Sequence, residues 1–196
     1  MAILKERRFW LFVGFAAIIV LVMVMRVEEE EQTLPVLGEL TEFQLTDQDG
    51  EQFGRENLLG KVWVADFIFT TCAGPCPVMS RQFTELQSRF GNASDFRLLS
   101  ISVNPDYDTP EVLKEYGDRY GADHDRWRFL TGNKDRIHEL AVEGFKVGSV
   151  EDPIFHSTRF ILLDSEARIR GYYISSELEE MQQLWRDVEL LAEVSP

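Results

Sequence analysis

The sequence predicts an α/β domain, and three observations predict it. A nearly continuous apolar run, Val62 to Phe69, has the β-branched and aromatic content of a strand buried on both faces. Strand-like and helix-like segments then alternate through Phe96 to Val103, Pro110 to Tyr120, Trp127 to Leu130 and Lys134 to Val142, the pattern of a sheet with packed crossovers. The chain closes on a strand pair, Thr158 to Leu163 and Arg168 to Ile174, followed by an amphipathic helix from Glu177 to about Glu193.

Composition bounds the function. Of 196 residues, 44% are apolar and 14 are Phe, enough for one real core. The formal charge is −14, and the basic residues Lys5, Arg7, Arg8 and Arg26 crowd the N-terminus, so the rest of the chain is more acidic still. Such a surface is a poor match for nucleic acid or anionic lipid; it suits solubility, a basic partner or a cationic cargo. Two cysteines exclude a multi-bridge scaffold. No internal repeat or low-complexity tract is present.

Residues 1–8 end in a basic cluster and are expected to be cytoplasmic. Residues 9–25 carry no charge and are expected to form a single transmembrane helix, at the short end of what spans a bilayer. The segment ends in Val22-Met23-Val24-Met25-Arg26, without the small residues of a cleavage site, which favours an uncleaved signal anchor over a signal peptide. The following domain is then expected on the extracytoplasmic, periplasmic side of the cell membrane. Residues 26–37 read as an acidic, extended, solvated linker, and 38–196 as the domain.

Within that domain, Phe43 to Thr46, the turn Asp49-Gly50, and Glu51 to Phe53 read as a β-hairpin extension at the N-terminal end. Asn57 to Lys61 reads as a short connection into the central strand. The helix after the cysteines places Val78, Met79, Phe83, Leu86 and Phe90 near one face and stops at Gly91-Asn92. Thr109 is placed to cap the next helix, with Pro110 at its first position. In the closing helix Leu178, Met181, Leu184, Trp185, Val188 and Leu191 are expected to face inward.

The central strand runs into Thr70-Thr71-Cys72-Ala73-Gly74-Pro75-Cys76-Pro77, which holds both cysteines at C-x3-C spacing. Pro77 suits a first helical turn, so the helix is expected to start close to Cys76. Backbone N–H groups and the helix dipole favour thiolates there, which predicts lowered thiol pKa values, a nucleophile, and soft-metal ligation. By the position of the cysteine pair, between the first buried strand and its helix, the domain is analogous to the thioredoxin-like fold.

Two thiolates suit Cu(I), or zinc if further ligands complete a tetrahedron. A third ligand is to be sought among His124, His138 and His156. His124 lies in a polar loop and is expected to be exposed; His138 falls on the polar side of a helix. His156 stands just before the strand Thr158 to Leu163, whose entrance in a thioredoxin-like sheet faces the cysteine loop. One imidazole with two thiolates suits Cu(I) and can also hold Cu(II). Met79 is a conceivable thioether ligand, but its register with Phe83 and Leu86 places it in the core. Asp66, inside the apolar strand, is either a buried acid near the site or a hydrogen-bonded structural group.

Phe67 to Pro77 resembles the C-x3-C-P signature of the Sco (SenC/PrrC) family. Ser102 to Glu111, Trp127 to Gly132 and Phe155 to Thr158 resemble further blocks of that family, in order, over about residues 34 to 191. The resemblance implies a membrane-anchored, thioredoxin-like domain that binds copper through Cys72, Cys76 and His156. It implies a role in assembling the binuclear copper centre (CuA) of cytochrome c oxidase, with the oxidase's copper-bearing subunit as partner, alongside other copper carriers or thiol reductants. That role is copper delivery, reduction of the oxidase thiols by the Cys72/Cys76 pair, or both; enzymatic thiol-disulfide reductase activity and redox sensing stay open. The family commonly has Pro after the first cysteine, where this chain has Ala73, with Pro75 before the second. Peroxide reduction is disfavoured, because the T-x-x-C motif needs Thr where Phe69 stands.

Overall fold

A computed structural model describes residues 34–148 and 158–192. The expected cytoplasmic tail, membrane helix and most of the linker lie outside them, as does His156. Among the described residues no helix is long and apolar enough to cross a membrane.

Eight strands form one sheet: β1 (Gly38–Glu39), β2 (Gln44–Asp47), β3 (Gln52–Gly54), β4 (Val62–Ile68), β5 (Phe96–Ser102), β6 (Trp127–Thr131), β7 (Arg159–Leu163) and β8 (Arg168–Ile174), in the order β1-β8-β7-β4-β5-β6-β2-β3. The helices are α1 (Cys76–Phe90), α2 (Pro110–Arg119), α3 (Lys134–Glu139) and α4 (Leu178–Leu191). The expected α/β order is therefore the one found. The expected hairpin is β2 and β3, turned at Gly50 with φ of +80° and paired antiparallel through β2 to β6, so that β3 forms that edge of the sheet.

Every residue of β4 is buried, because it is paired on both edges and covered on both faces. Trp63, Ala65 and Phe67 point into one core with Leu45, Ile137, Leu140 and Phe145. Val62, Val64 and Ile68 point into the other, with Met79, Phe83 and Leu86 of α1, Leu113 and Tyr116 of α2, and Leu184 and Val188 of α4. The strand is thus the middle of three layers, which is why it reads as a continuous apolar run rather than an alternating one.

Several details differ from the sequence reading. Residues 34–37 are extended as expected but not free: Leu37 N–H donates to Ile169 O at 2.8 Å, and Arg170 Nε donates to Pro35 O at 3.2 Å. The connection before β4 contains a 3₁₀ turn, Arg55–Leu58. The helix after β6 widens into a π-helical turn, Leu140–Gly144, closed by Phe145 N–H on Leu140 O at 2.8 Å. Val78, expected on the buried face of α1, is 47% exposed, because at 3.6 residues per turn it projects well round the helix from the buried row Met79, Phe83 and Phe90. Leu178, expected inward, is 69% exposed at the first residue of α4, before the helix settles on its core through Met181 and Leu184.

β4, β5 and β6 run parallel, so their C-terminal ends share one end of the sheet. The cysteine loop follows β4, and residues 103–109 follow β5, with Ile68 opposite Ser102 at the two exits. β7 runs antiparallel to β4 with Ala65 opposite Ile161, so β7 begins at that same end. Loops at the carboxyl ends of parallel strands are the usual place for a site in such folds.

Candidate metal and redox site

Both cysteines are free thiols, and they differ in exposure: Cys76 is 4% exposed, whereas Cys72 is half-buried. Cys76 is the first residue of α1, with Pro77 after it. Val78 N–H and Met79 N–H donate to Pro75 O at 2.9 and 3.1 Å, which closes the first turn without a capping side chain. Cys72 N–H donates to Phe69 O at 3.1 Å, folding residues 69–72 into a tight turn. The spacing thus delivers what it predicted, two thiols brought to one helix start.

The thiol chemistry differs from expectation at Cys76. Burial pushes its thiol well up from the ordinary range; the Cys72 thiol beside it adds to the rise, as does the Asp66 carboxyl, while a hydrogen bond from the Phe69 backbone favours the thiolate. The helix start does not win here, because a charge in an apolar core costs more than the first-turn dipole returns. Cys76 is held as the neutral thiol, and a soft cation entering the site would have to displace that proton.

Asp66 is a buried acid near the site, opposite Ser100. It is fully buried, and among the described residues neither carboxyl oxygen has a hydrogen-bond partner. Burial pushes its pKa up to about 7, against a downward pull from the neighbouring Ser100 hydroxyl. Met79 is buried in the core with Phe83 and Leu86, as its register indicates.

Two of the three histidines stand away from the thiols. His124 is not the exposed loop residue expected: its ring lies 6.1 Å from that of Phe129, and its Nε2 meets Asp118 Oδ1 at 2.9 Å. Its Nδ1 is buried without a partner among the described residues. His138 sits in the last turn of α3, partly exposed. Among the described residues no group of three or more His, Cys, Asp or Glu side chains could hold a metal ion. His156, the remaining candidate, is outside the described residues, three positions before β7 begins.

One residue of the site lies within the Ser102 to Glu111 block but carries no role that the sequence marks. Asp108, fully buried in the loop after β5, accepts hydrogen bonds from Thr70 and Ser102. In the sequence it stands as an acid just before the Thr-Pro helix start of that block.

The family model described as SCO1/SenC matches residues 32–193. The chain is 34% identical over 160 residues to a SCO1 protein homolog of Bacillus subtilis, covering 79% of this chain and 83% of that protein. Its fold matches that of BsSco, described as a member of the Sco family of cytochrome c oxidase assembly proteins with a disulfide switch. The TM-score is 0.71 at 34% identity, over 84% of this chain and 99% of that one. It also matches yeast Sco1 with copper bound, with a TM-score of 0.60 at 26% identity, over 78% of this chain and 89% of that one.

Proposed function

The chain belongs to the SCO1/SenC family, and from that premise we propose that it is a membrane-tethered copper chaperone that loads the CuA centre of cytochrome c oxidase. The observation that carries this reading is the pair of free thiols at the start of α1, at the carboxyl end of the sheet. Cys72 and Cys76 supply two soft ligands for Cu(I), and His156 supplies the third, an imidazole. The reading is supported by the start of β7 at Arg159, on the same end of the sheet as the cysteine loop, and by neither His124 nor His138 joining the cysteines in a metal-holding group among the described residues. It is supported further by the copper-bound state of the related yeast structure and by the oxidase-assembly role ascribed to the BsSco family. Residues 9–25 would tether the domain on the extracytoplasmic side, within reach of the oxidase's copper-bearing subunit.

Copper is cargo in this scheme. Cu(I) displaces the Cys76 proton on binding, and leaves by exchange onto the thiols of the receiving protein. The test is uptake of one Cu(I) per reduced chain, followed by competition with a chromophoric chelator. His156→Ala is expected to weaken the complex and Cys76→Ser to abolish it; an uptake that neither substitution changes overturns the reading.

A second reading is favoured by the unequal exposure of the two thiols. An accessible Cys72 beside a sheltered Cys76 is the arrangement of an attacking and a resolving thiol, so the pair would reduce a disulfide on the receiving protein. In a strain lacking the protein, rescue by added copper supports delivery, whereas rescue by a small-molecule thiol supports reduction.

A further inference from the structure

The turn that carries Cys72 is held from outside its own segment. Asp108 Oδ1 accepts the Thr70 hydroxyl at 2.5 Å, and Oδ2 accepts Thr70 N–H at 3.1 Å. Oδ2 also accepts the Ser102 hydroxyl at 2.5 Å, and Ser102 Oγ in turn accepts Asn104 N–H at 3.0 Å. The donors are therefore fixed: Ser102 receives from Asn104 and gives its own proton to Asp108. The loop itself is wound so that the carboxylate faces back, with Tyr107 N–H and Asp108 N–H both donating to Asn104 O, at 3.1 and 2.9 Å.

A buried carboxylate with no cation among these partners needs a reason. Three donors converge on it, two of them from Thr70, which lies two residues before Cys72. A carboxylate offers acceptor sites on both oxygens, whereas an amide offers one oxygen and presents an N–H₂ to at least one of the donors. Phe69 O is already taken by Cys72 N–H, and Val103 N–H donates to Ile68 O at 2.8 Å. With Thr70 N–H and Oγ both bound to Asp108, each residue from Ile68 to Thr70 has a backbone group committed, and the turn has one way to leave the sheet.

We propose that Asp108 is a positioning residue for the cysteine pair: by binding Thr70 through both backbone and side chain, it fixes the turn that sets Cys72 against Cys76. The inference rests on the reading of that pair as the functional thiols, and it concerns their geometry whether the pair holds copper or forms a disulfide. A fixed sulfur separation favours one ligand geometry and sets the equilibrium between dithiol and disulfide. Loosening the turn shifts both.

The test compares the reduced full chain with Asp108→Asn, Thr70→Val, Thr70→Ser and the Asp108→Asn/Thr70→Val double variant. Two quantities are read: the dithiol–disulfide equilibrium of Cys72/Cys76 in glutathione buffers, and Cu(I) affinity by chelator competition. Outer-shell partners of a metal ligand commonly carry 10- to 100-fold in affinity, so Asp108→Asn and Thr70→Val are each expected to weaken Cu(I) binding by roughly tenfold or more and to move the disulfide equilibrium. Thr70→Ser keeps the hydroxyl and is expected to match the unmodified chain; the double variant is expected to be no worse than the more affected single one, because both remove the same link. Unchanged values in a folded Asp108→Asn chain overturn the proposal, as do additive effects in the double variant. If Asp108→Asn does not fold, Thr70→Val against Thr70→Ser decides on its own: equal values for those two overturn the proposal. The disulfide equilibrium is readable even if the chain takes up no copper, so failure of the copper reading and failure of this one are told apart.

Discussion

Asp66 on β4 lies directly across the parallel ladder from Ser100 on β5, and both are fully buried. The Ser100 hydroxyl accepts Trp127 Nε1–H at 3.0 Å, and the carboxyl of Asp66 is left facing the core that contains Cys76 and Tyr116. With its pKa raised to about 7, Asp66 keeps a proton in the folded chain that the unfolded chain releases near pH 4. The folded state binds more protons across that window, so its stability is full below about pH 4 and falls as pH rises toward 7. For one proton the slope is at most about 1.4 kcal/mol per pH unit. Urea unfolding of the reduced domain between pH 4.5 and 7.5 should show this decline, and Asp66→Asn should flatten it. A slope that survives the substitution would assign the effect to another group.

Much of this architecture was legible because burial writes itself into composition. β4 reads as a central strand from its apolar run alone, and Arg168–Ile174 was bounded correctly by alternation. The cysteine pair and its helix start were legible from Gly74, Pro75 and Pro77. Periodicity was misread at helix starts: Val78 lies well round the helix from Met79, Phe83 and Phe90, and Leu178, the first residue of its helix, is exposed. Net electrostatics were also illegible. The rise at Cys76 comes first from burial and then from Cys72, with a lesser part from Asp66, and the burial exists only after folding. Asp108 escaped for the same reason, since its partner Thr70 is 38 residues upstream.

The two thiols should react at different rates. Cys72 is half-buried, whereas Cys76 is shielded and its thiol is pushed up chiefly by burial, which persists when Cys72 is replaced. Because the thiolate is the nucleophile, iodoacetamide at pH 7.5 should modify the Cys76→Ser chain, which retains Cys72, at least tenfold faster than the Cys72→Ser chain, on the order expected for one pKa unit or more. Equal rates would mean that the loop opens to solvent faster than the reagent attacks.

Asp164 anchors the turn between β7 and β8. Burial pushes its carboxyl up, but hydrogen bonds from Arg170, from Arg168 by backbone and side chain, and from the Glu166 backbone leave it below the usual carboxylate range. Arg170 Nη1 is 2.7 Å away and Arg168 Nε 2.9 Å. A lowered pKa contributes stability that is present above about pH 4 and lost as pH falls through the folded value. Asp164→Asn leaves the nearly buried Arg170 guanidinium unneutralised, so it should cost about 3 kcal/mol at pH 7 and less at pH 3. Chemical denaturation at the two pH values measures the difference, and an equal cost at both would remove the charge from the account.

Gly117 shows the same layer seen from α2. A Cβ built there would stand 2.7 Å from Phe129 Cε2 and 2.8 Å from His124 Cε1. His124 has room to turn, since it is partly exposed and paired only through Nε2 to Asp118. Phe129 has none: it is fully buried, stacked on Trp127 at 4.9 Å, and edge-on to Tyr116 at 6.3 Å. In an exposed helix Gly→Ala ordinarily gains about 1 kcal/mol. Here overpacking should reverse the sign, with Gly117→Ala destabilising by roughly 1–3 kcal/mol. Removing the movable neighbour with His124→Ala should recover only a part, because the clash with Phe129 persists. A Gly117→Ala chain with a raised urea midpoint would mean that α2 can lift off β6 without loss, and that the Tyr116–Phe129 seam contributes little to the fold.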